Sequence, residues 1–290
     1  MALDAAIWFS PAMIRWLFAL VFLATAAPAT AQPLEPMTSL ALLGSDNLTT
    51  YKTCFENIEA DPAEAFERAM IWRDQGGGNL ARHCVAAALL ALGQPAVAAD
   101  RLEQLALTAR TAPPAVRARL LSQAGQAWLA GRLADRAHAS LTMALEIAPD
   151  LPDLLVDRAV TLAAARNYWE AIDDLNRALE IQPRYGIALA LRASAYRFVD
   201  SLDLAMHDAE EAVRAAPALP EAYLERGILR RLRGNLAGAR ADWLRVLVLE
   251  PDGDTGETAR ANIERLELRL DETPAALPPK ARSGWRWNPF

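Results

Sequence analysis

The sequence predicts an all-α protein, a solenoid of stacked helix hairpins closed by a C-terminal capping helix, and three observations lead there. Four prolines, Pro149, Pro183, Pro217 and Pro251, stand 34 residues apart. Small residues keep the same spacing: Gly125, Ala159, Ala193 and Gly227, then Ala137, Ala171, Ala205 and Ala239, then Ala144, Ala178 and Ala212 with Val246 in fourth place. Stretches such as residues 153–166 and 168–181 carry apolar residues at i, i+3, i+4 and i+7, the period of an amphipathic helix. A fixed period of this length marks a repeat architecture.

Each element follows from the chemistry of its marker residue. Small side chains let two antiparallel helices approach closely, so Ala159 and Ala171 mark a crossing. The proline after each second helix has no N–H and stops it. Pro152 and Pro220 suit the first turn of the following helix, with Asp153 and Glu221 behind them at the positive end of the dipole. One such hairpin cannot bury its apolar face alone; stacking buries it.

The spacing and residue types resemble the tetratricopeptide repeat. The small first-helix residue, the aromatic or apolar residue three later (Trp128, Leu162, Tyr196), the second-helix alanine and the bulky residue four later (Leu141, Leu175, Trp243) all have counterparts. Arg230 and Ala209 depart from the pattern, and Ala209 is expected to leave its contact underfilled. The resemblance implies a right-handed superhelical solenoid and a protein or peptide ligand. Four repeats fill residues 118–251. Residues 47–117 read as two degenerate hairpins, one around Asp61-Pro62 and one around Gly93-Gln94-Pro95. Residues 252–270 read as the capping helix, 32–46 as a flexible lead and 271–290 as a disordered tail rich in proline and aromatics.

The first 31 residues read as a secretory signal peptide. Arg15 precedes an apolar run to Ala27, and Ala29-Thr30-Ala31 is a small-x-small cleavage pattern before Gln32. A retained anchor is the alternative, since residues 2–7 add apolar length; Met13 begins a more regular leader than Met1. The expectation is an exported chain in a bacterial periplasm. Of its 290 residues 53% are hydrophobic and 23% charged, too apolar for a disordered chain. A net charge of -6 offers no general basic face for nucleic acid.

Little chemistry stands out beyond this framework. Cys54 and Cys84, the only cysteines, lie on the first helices of successive hairpins and are expected to form a disulfide in an oxidising compartment. The rival is a redox thiol, with His83 lowering the pKa of Cys84. His138 and His207 read as surface residues, too far apart to share a metal. Gly76-Gly77-Gly78 reads as a helix stop rather than an anion cradle. Asp173-Asp174 and Glu210-Glu211 read as solvated helix faces. No catalytic site, cofactor site or metal site is expected.

A partner surface is expected on the stripe beginning one residue after each small first-helix residue, turned about 100° away from the second helix. By resemblance to tetratricopeptide proteins it lines the concave groove. It comprises Arg119, Ser122, Gln126 and Leu129; Asp153, Val156, Val160 and Ala163; Ile187, Ala190, Ser194 and Arg197; and Glu221, Leu224, Ile228 and Arg231. Apolar residues with Arg197 and Arg231 near one end suit a mixed apolar and acidic segment. The plain alternative is that Val156, Val160 and Leu224 pack between repeats. Trp285, Trp287 and Phe290, interleaved with Arg286, suit a partner groove or a membrane interface, or are simply a loose tail. The function this implies is a non-catalytic periplasmic scaffold; a thiol-dependent enzyme using Cys84 and a structural subunit of an envelope complex are the alternatives.

Overall fold

The computed structural model describes residues 45–272, with side-chain surroundings from 47 to 267. The expected leader, nearly all of the lead and the aromatic tail with Trp285, Trp287 and Phe290 lie outside the described residues. Within them are thirteen helices and no strand. In chain order these are α1 Ser45–Ala60, α2 Pro62–Asp74, α3 Gly78–Ala91, α4 Pro95–Thr108, α5 Pro114–Ala130, α6 Ala134–Ile147 and α7 Pro152–Ala164. Then come α8 Tyr168–Ile181, α9 Gly186–Phe198, α10 Leu202–Ala215, α11 Pro220–Leu232, α12 Leu236–Leu249 and α13 Asp254–Glu272. The lead is thus shorter than expected by Ser45 and Asp46, and the last helix runs two residues past 270.

The chain divides after Ala165 into two compact units. In the first, α1–α2, α3–α4 and α5–α6 are hairpins, and first helices also touch the next first helix, α1 against α3 and α5 against α7. The second repeats this with α9–α10 and α11–α12, α9 packing on α11 and α11 on α13. Five helices open on proline at their first positions, Pro62, Pro95, Pro114, Pro152 and Pro220, where the missing N–H costs nothing. Asp61 caps α2 by accepting from the amides of Ala63 and Glu64. The turn inside each hairpin places one residue in the left-handed region, and these follow the period: Arg132, Arg166, Asp200 and Gly234, with φ between 59° and 78°.

The crossings have no spare room. A Cβ on Gly125 would lie 2.7 Å from Leu141 Cγ, and one on Gly227 2.7 Å from Trp243 Cδ1, with Trp243 Nε1 closer still. Between α9 and α10 the sizes are exchanged. Ala193 supplies its own methyl group, and Ala209 is fully buried in a cluster against which Tyr196 packs. The contact is therefore filled from the first helix, and the expected gap at Ala209 does not exist.

Buried charge follows the repeat as well. Asp174, Asp208 and Asp242, 34 residues apart, are 7%, 3% and 3% exposed, so Asp174 is not on a solvated face. Arg192 grips Asp208 with two bonds, 2.6 and 2.9 Å, and donates to Asn176 of α8 at 2.8 Å. Arg226 grips Asp242 in the same way at 2.7 and 3.0 Å, and Arg230 adds a third contact at 2.9 Å. In the first unit the corresponding place holds Ser140, which donates to Glu103 of α4; Trp128 Nε1 donates to the same carboxylate at 2.8 Å. His138 and His207 are exposed.

At the N-terminal end Cys54 of α1 and Cys84 of α3 are bonded, with Cα atoms 6.4 Å apart. His83 points the other way, into the core, wholly buried. Its Nε2 donates to Gln123 Oε1 of α5 at 2.7 Å, so its Nδ1 accepts from the Tyr51 hydroxyl at 2.6 Å. Burial pushes the imidazole pKa down to about 4, against a smaller upward pull from the Gln123 bond. Three hairpins meet at one neutral histidine.

Two outcomes follow. Gly227→Ala forces a methyl group into buried Trp243 and is expected to lower stability by about 1–3 kcal/mol, read as a fall in thermal midpoint. His83 titrates near 6.5 when unfolded and about 4 when folded, so the unfolded chain takes up more protons between those values. The stability tied to neutral His83 is fully present above pH 6.5 and falls as pH drops towards 4, by about 3 kcal/mol in all. Urea midpoints measured across that range should show the loss, and His83→Gln should flatten this part of the curve.

Candidate partner-binding surface

The expected stripe exists on the first helices, but the structure uses much of it for holding hairpins together. In the first unit Ser122 and Val156 are buried. Ser122 Oγ and Gln126 Nε2 both donate to Asp157, the latter at 3.1 Å, tying α5 to α7. Burial holds the Asp157 carboxyl above the usual carboxylate range; the Ser122 and Gln126 bonds pull it back, and Asp153 pushes it up slightly. Arg119, Gln126 and Asp153 are exposed, while Leu129, Val160 and Ala163 are half-buried.

In the second unit Ala190 is buried, and Ile187, Ser194, Glu221 and Arg231 are half-buried. Leu224 and Ile228 pack against the cluster of Trp243, Val246, Ala259 and Leu266, so on α11 the plain alternative holds: they seat the capping helix. Arg197 is not the open cation the sequence suggests. Its Nε donates to Glu225 Oε1 at 2.6 Å and its Nη2 to Glu225 Oε2 and Ser194 Oγ, both at 3.1 Å, while its guanidinium lies 4.4 Å above the Phe198 ring. The physical reason is Glu225, whose side chain is 8% exposed on the facing first helix and needs a charge partner.

One feature of the stripe points outward for a ligand. Glu221 Oε2 is buried and has no hydrogen-bond partner. A carboxylate oxygen in that state is an acceptor whose desolvation nothing repays. Sequence reading placed Glu221 on the stripe by register alone; its unsatisfied atom depends on where α11 neighbours stand. Among the described residues no group of three or more His, Cys, Asp or Glu is placed to hold a metal ion, and no helix there is long and apolar enough to cross a membrane.

The Arg197–Glu225 pair gives a direct check. Arg197→Ala strands a buried carboxylate and is expected to cost about 3 kcal/mol or more. Replacing both residues with methionine should recover most of that loss. Urea unfolding of the two variants separates a structural arginine from an exposed one, whose removal would cost little.

No family model matches the chain. Among curated proteins it is similar to the protein O-mannosyl-transferase TMTC1 of Homo sapiens, 28% identical over 110 residues, which is 37% of this chain and 12% of that protein. The mouse protein matches to the same extent. The chain spans about an eighth of the length of these relatives. Among solved structures it is similar to the first TPR of Spaghetti (RPAP3) bound to the HSP90 peptide SRMEEVD, 27% identical, covering 41% of this chain and 93% of that one, TM-score 0.38. It is also similar to MamA residues 41 to the end from Desulfovibrio magneticus RS-1, 19% identical, covering 64% and 97%, TM-score 0.47. The 34-residue period, the small residues at each crossing and the stacking of hairpin on hairpin make this chain a member of the tetratricopeptide-repeat family.

Proposed function

We propose that the chain is a non-catalytic protein- or peptide-binding scaffold, exported to a bacterial periplasm with its leader removed before Gln32. Within each unit the ligand lies along the first-helix stripe. The observation that carries this reading is the recurrence of open positions on one face of successive rigid helices. These are Arg119, Gln126, Asp153 and Val160 in the first unit, and Ile187, Glu221 and Arg231 in the second. Side chains repeated on stiff elements present a pre-ordered surface, which lowers the ordering cost of binding.

The polarity differs from what the sequence suggests. With Arg197 taken up by Glu225, the unsatisfied group in the second unit is the Glu221 acceptor. A segment carrying an N–H or cationic donor beside an apolar side chain suits it better than an acidic one. The thiol-enzyme alternative needs a reachable Cys84. Cys84 is instead wholly buried and bonded to Cys54, and both ring nitrogens of His83 are engaged elsewhere.

A photo-crosslinking residue placed at Gln126, Ile187 or, as a control, exposed Ala241 of α12 tests both parts in the native host. The expected result is a periplasmic chain whose N-terminus reads Gln32, with adducts from positions 126 and 187 and none from 241. Equal adducts from all three positions would remove the stripe as the binding surface. A chain retained in the membrane with residue 1 or 13 at its start would remove export by cleavage.

A further inference from the structure

A second site lies inside the first hairpin, away from the stripe. A cavity of about 240 Å³ opens between α1 and α2. Its origin is legible in the repeat. Counted from the proline that opens each second helix, Ala65 stands where Ala98 does, and Ala69 stands where Leu102 does. That second place is taken by Leu102, Leu141, Leu175 and Trp243 in other hairpins, each at most 1% exposed. In α10 the same place also holds alanine, but Tyr196 packs against it from α9. In α1 no such aromatic reaches across, and the volume stays open.

The lining has two zones. Ala65, Ala69, the Trp72 ring and the Cys54–Cys84 disulfide make an apolar floor. Thr49, Thr50, Thr53 and Asn57 make a polar rim, and Arg68 is the one cation among the lining residues. Arg68 is held by Glu64 at 2.6 Å, with both side chains more than half exposed, so that pair is weak and the guanidinium is able to swing. An apolar pocket with a few convergent polar groups at its mouth is the usual form of a small-molecule site. An engineered cavity of about 150 Å³ is large enough for benzene, so this one takes a single ring with a short arm.

We propose that this cavity binds a single-ring monocarboxylate, with the ring on Trp72 and the disulfide and the carboxylate at Arg68. Such chemistry comes from a free aromatic acid or from the carboxy-terminal aromatic residue of a polypeptide. The binding does not depend on the stripe.

The experiment follows threonine methyl resonances of the intact, unreduced protein during titration with 3-phenylpropionate, with its amide, and with an acetylated tripeptide ending in phenylalanine. Saturable shifts at Thr50 and Thr53 in the millimolar range or tighter are expected, and whichever carboxylate binds more tightly identifies the source. Arg68→Gln should weaken the carboxylate several-fold and leave the amide unchanged. Ala69→Leu, which restores the residue found in other repeats, should fill the cavity, abolish the shifts and raise the thermal midpoint. If both carboxylates leave the wild-type spectrum unchanged, or if binding is equal in wild type and Arg68→Gln, the proposal fails. Undiminished binding to a folded Ala69→Leu variant also sinks it.

Discussion

The closeness of the two helices in each hairpin sets the terms for everything else in this chain. At Gly125 and Gly227 the partner helix leaves no space for a single methyl group, because Leu141 and Trp243 occupy it. Size on one helix is answered on the other: glycine faces leucine or tryptophan, and Ala193 with Tyr196 faces Ala209. Close packing gains many small dispersion contacts that a gap would forfeit. Alanine-rich helices can therefore form a stable core without large side chains at every position. The first hairpin is the exception that shows the rule, since Ala69 has no answering side chain and a cavity remains.

Charge is threaded through this packing under the same discipline. Arg192 and Arg226 each reach from a first helix to an aspartate of their own second helix, and Arg192 also reaches the preceding second helix through Asn176. A buried pair of this kind adds little net stability, because desolvation consumes most of the attraction. Its contribution is to register. If α9 slid by one residue along α10, Asp208 would be left buried without its fork, and that error is far more costly than the pair is stabilising. The fully bonded, neutral Tyr51–His83–Gln123 group acts in the same way across three hairpins of the first unit.

Much of this was readable beforehand because sterics impose residue identity. Only glycine or alanine fits a crossing, and only proline ends a helix so sharply, so those positions repeat visibly in the sequence. The Asp174, Asp208 and Asp242 series repeats just as faithfully, but acidic residues on helices are usually solvated, and that expectation hid it. Arg197 was placed correctly on its stripe and misjudged in role. Its partner Glu225 lies 28 residues away on another hairpin, and nothing local marks the pairing. The partners of His83 lie 32 and 40 residues distant with no period to announce them. The cavity had a local sign, alanine in the bulky place, but whether a neighbour fills such a place is decided only in three dimensions.

The bond between Cys54 and Cys84 closes a ring of chain that contains the whole of α2 and the start of α3. Repeat stacks held by neighbour contacts normally fray from their ends, each terminal hairpin detaching with little resistance from the rest. Here the N-terminal end is a closed ring, so α1 can loosen but cannot diffuse away, and its return is an intramolecular event of high effective concentration. Opening at that end is thereby converted from loss of a repeat into breathing of a loop. A cavity whose floor is that same bond can widen and narrow repeatedly without the hairpin ever leaving the protein.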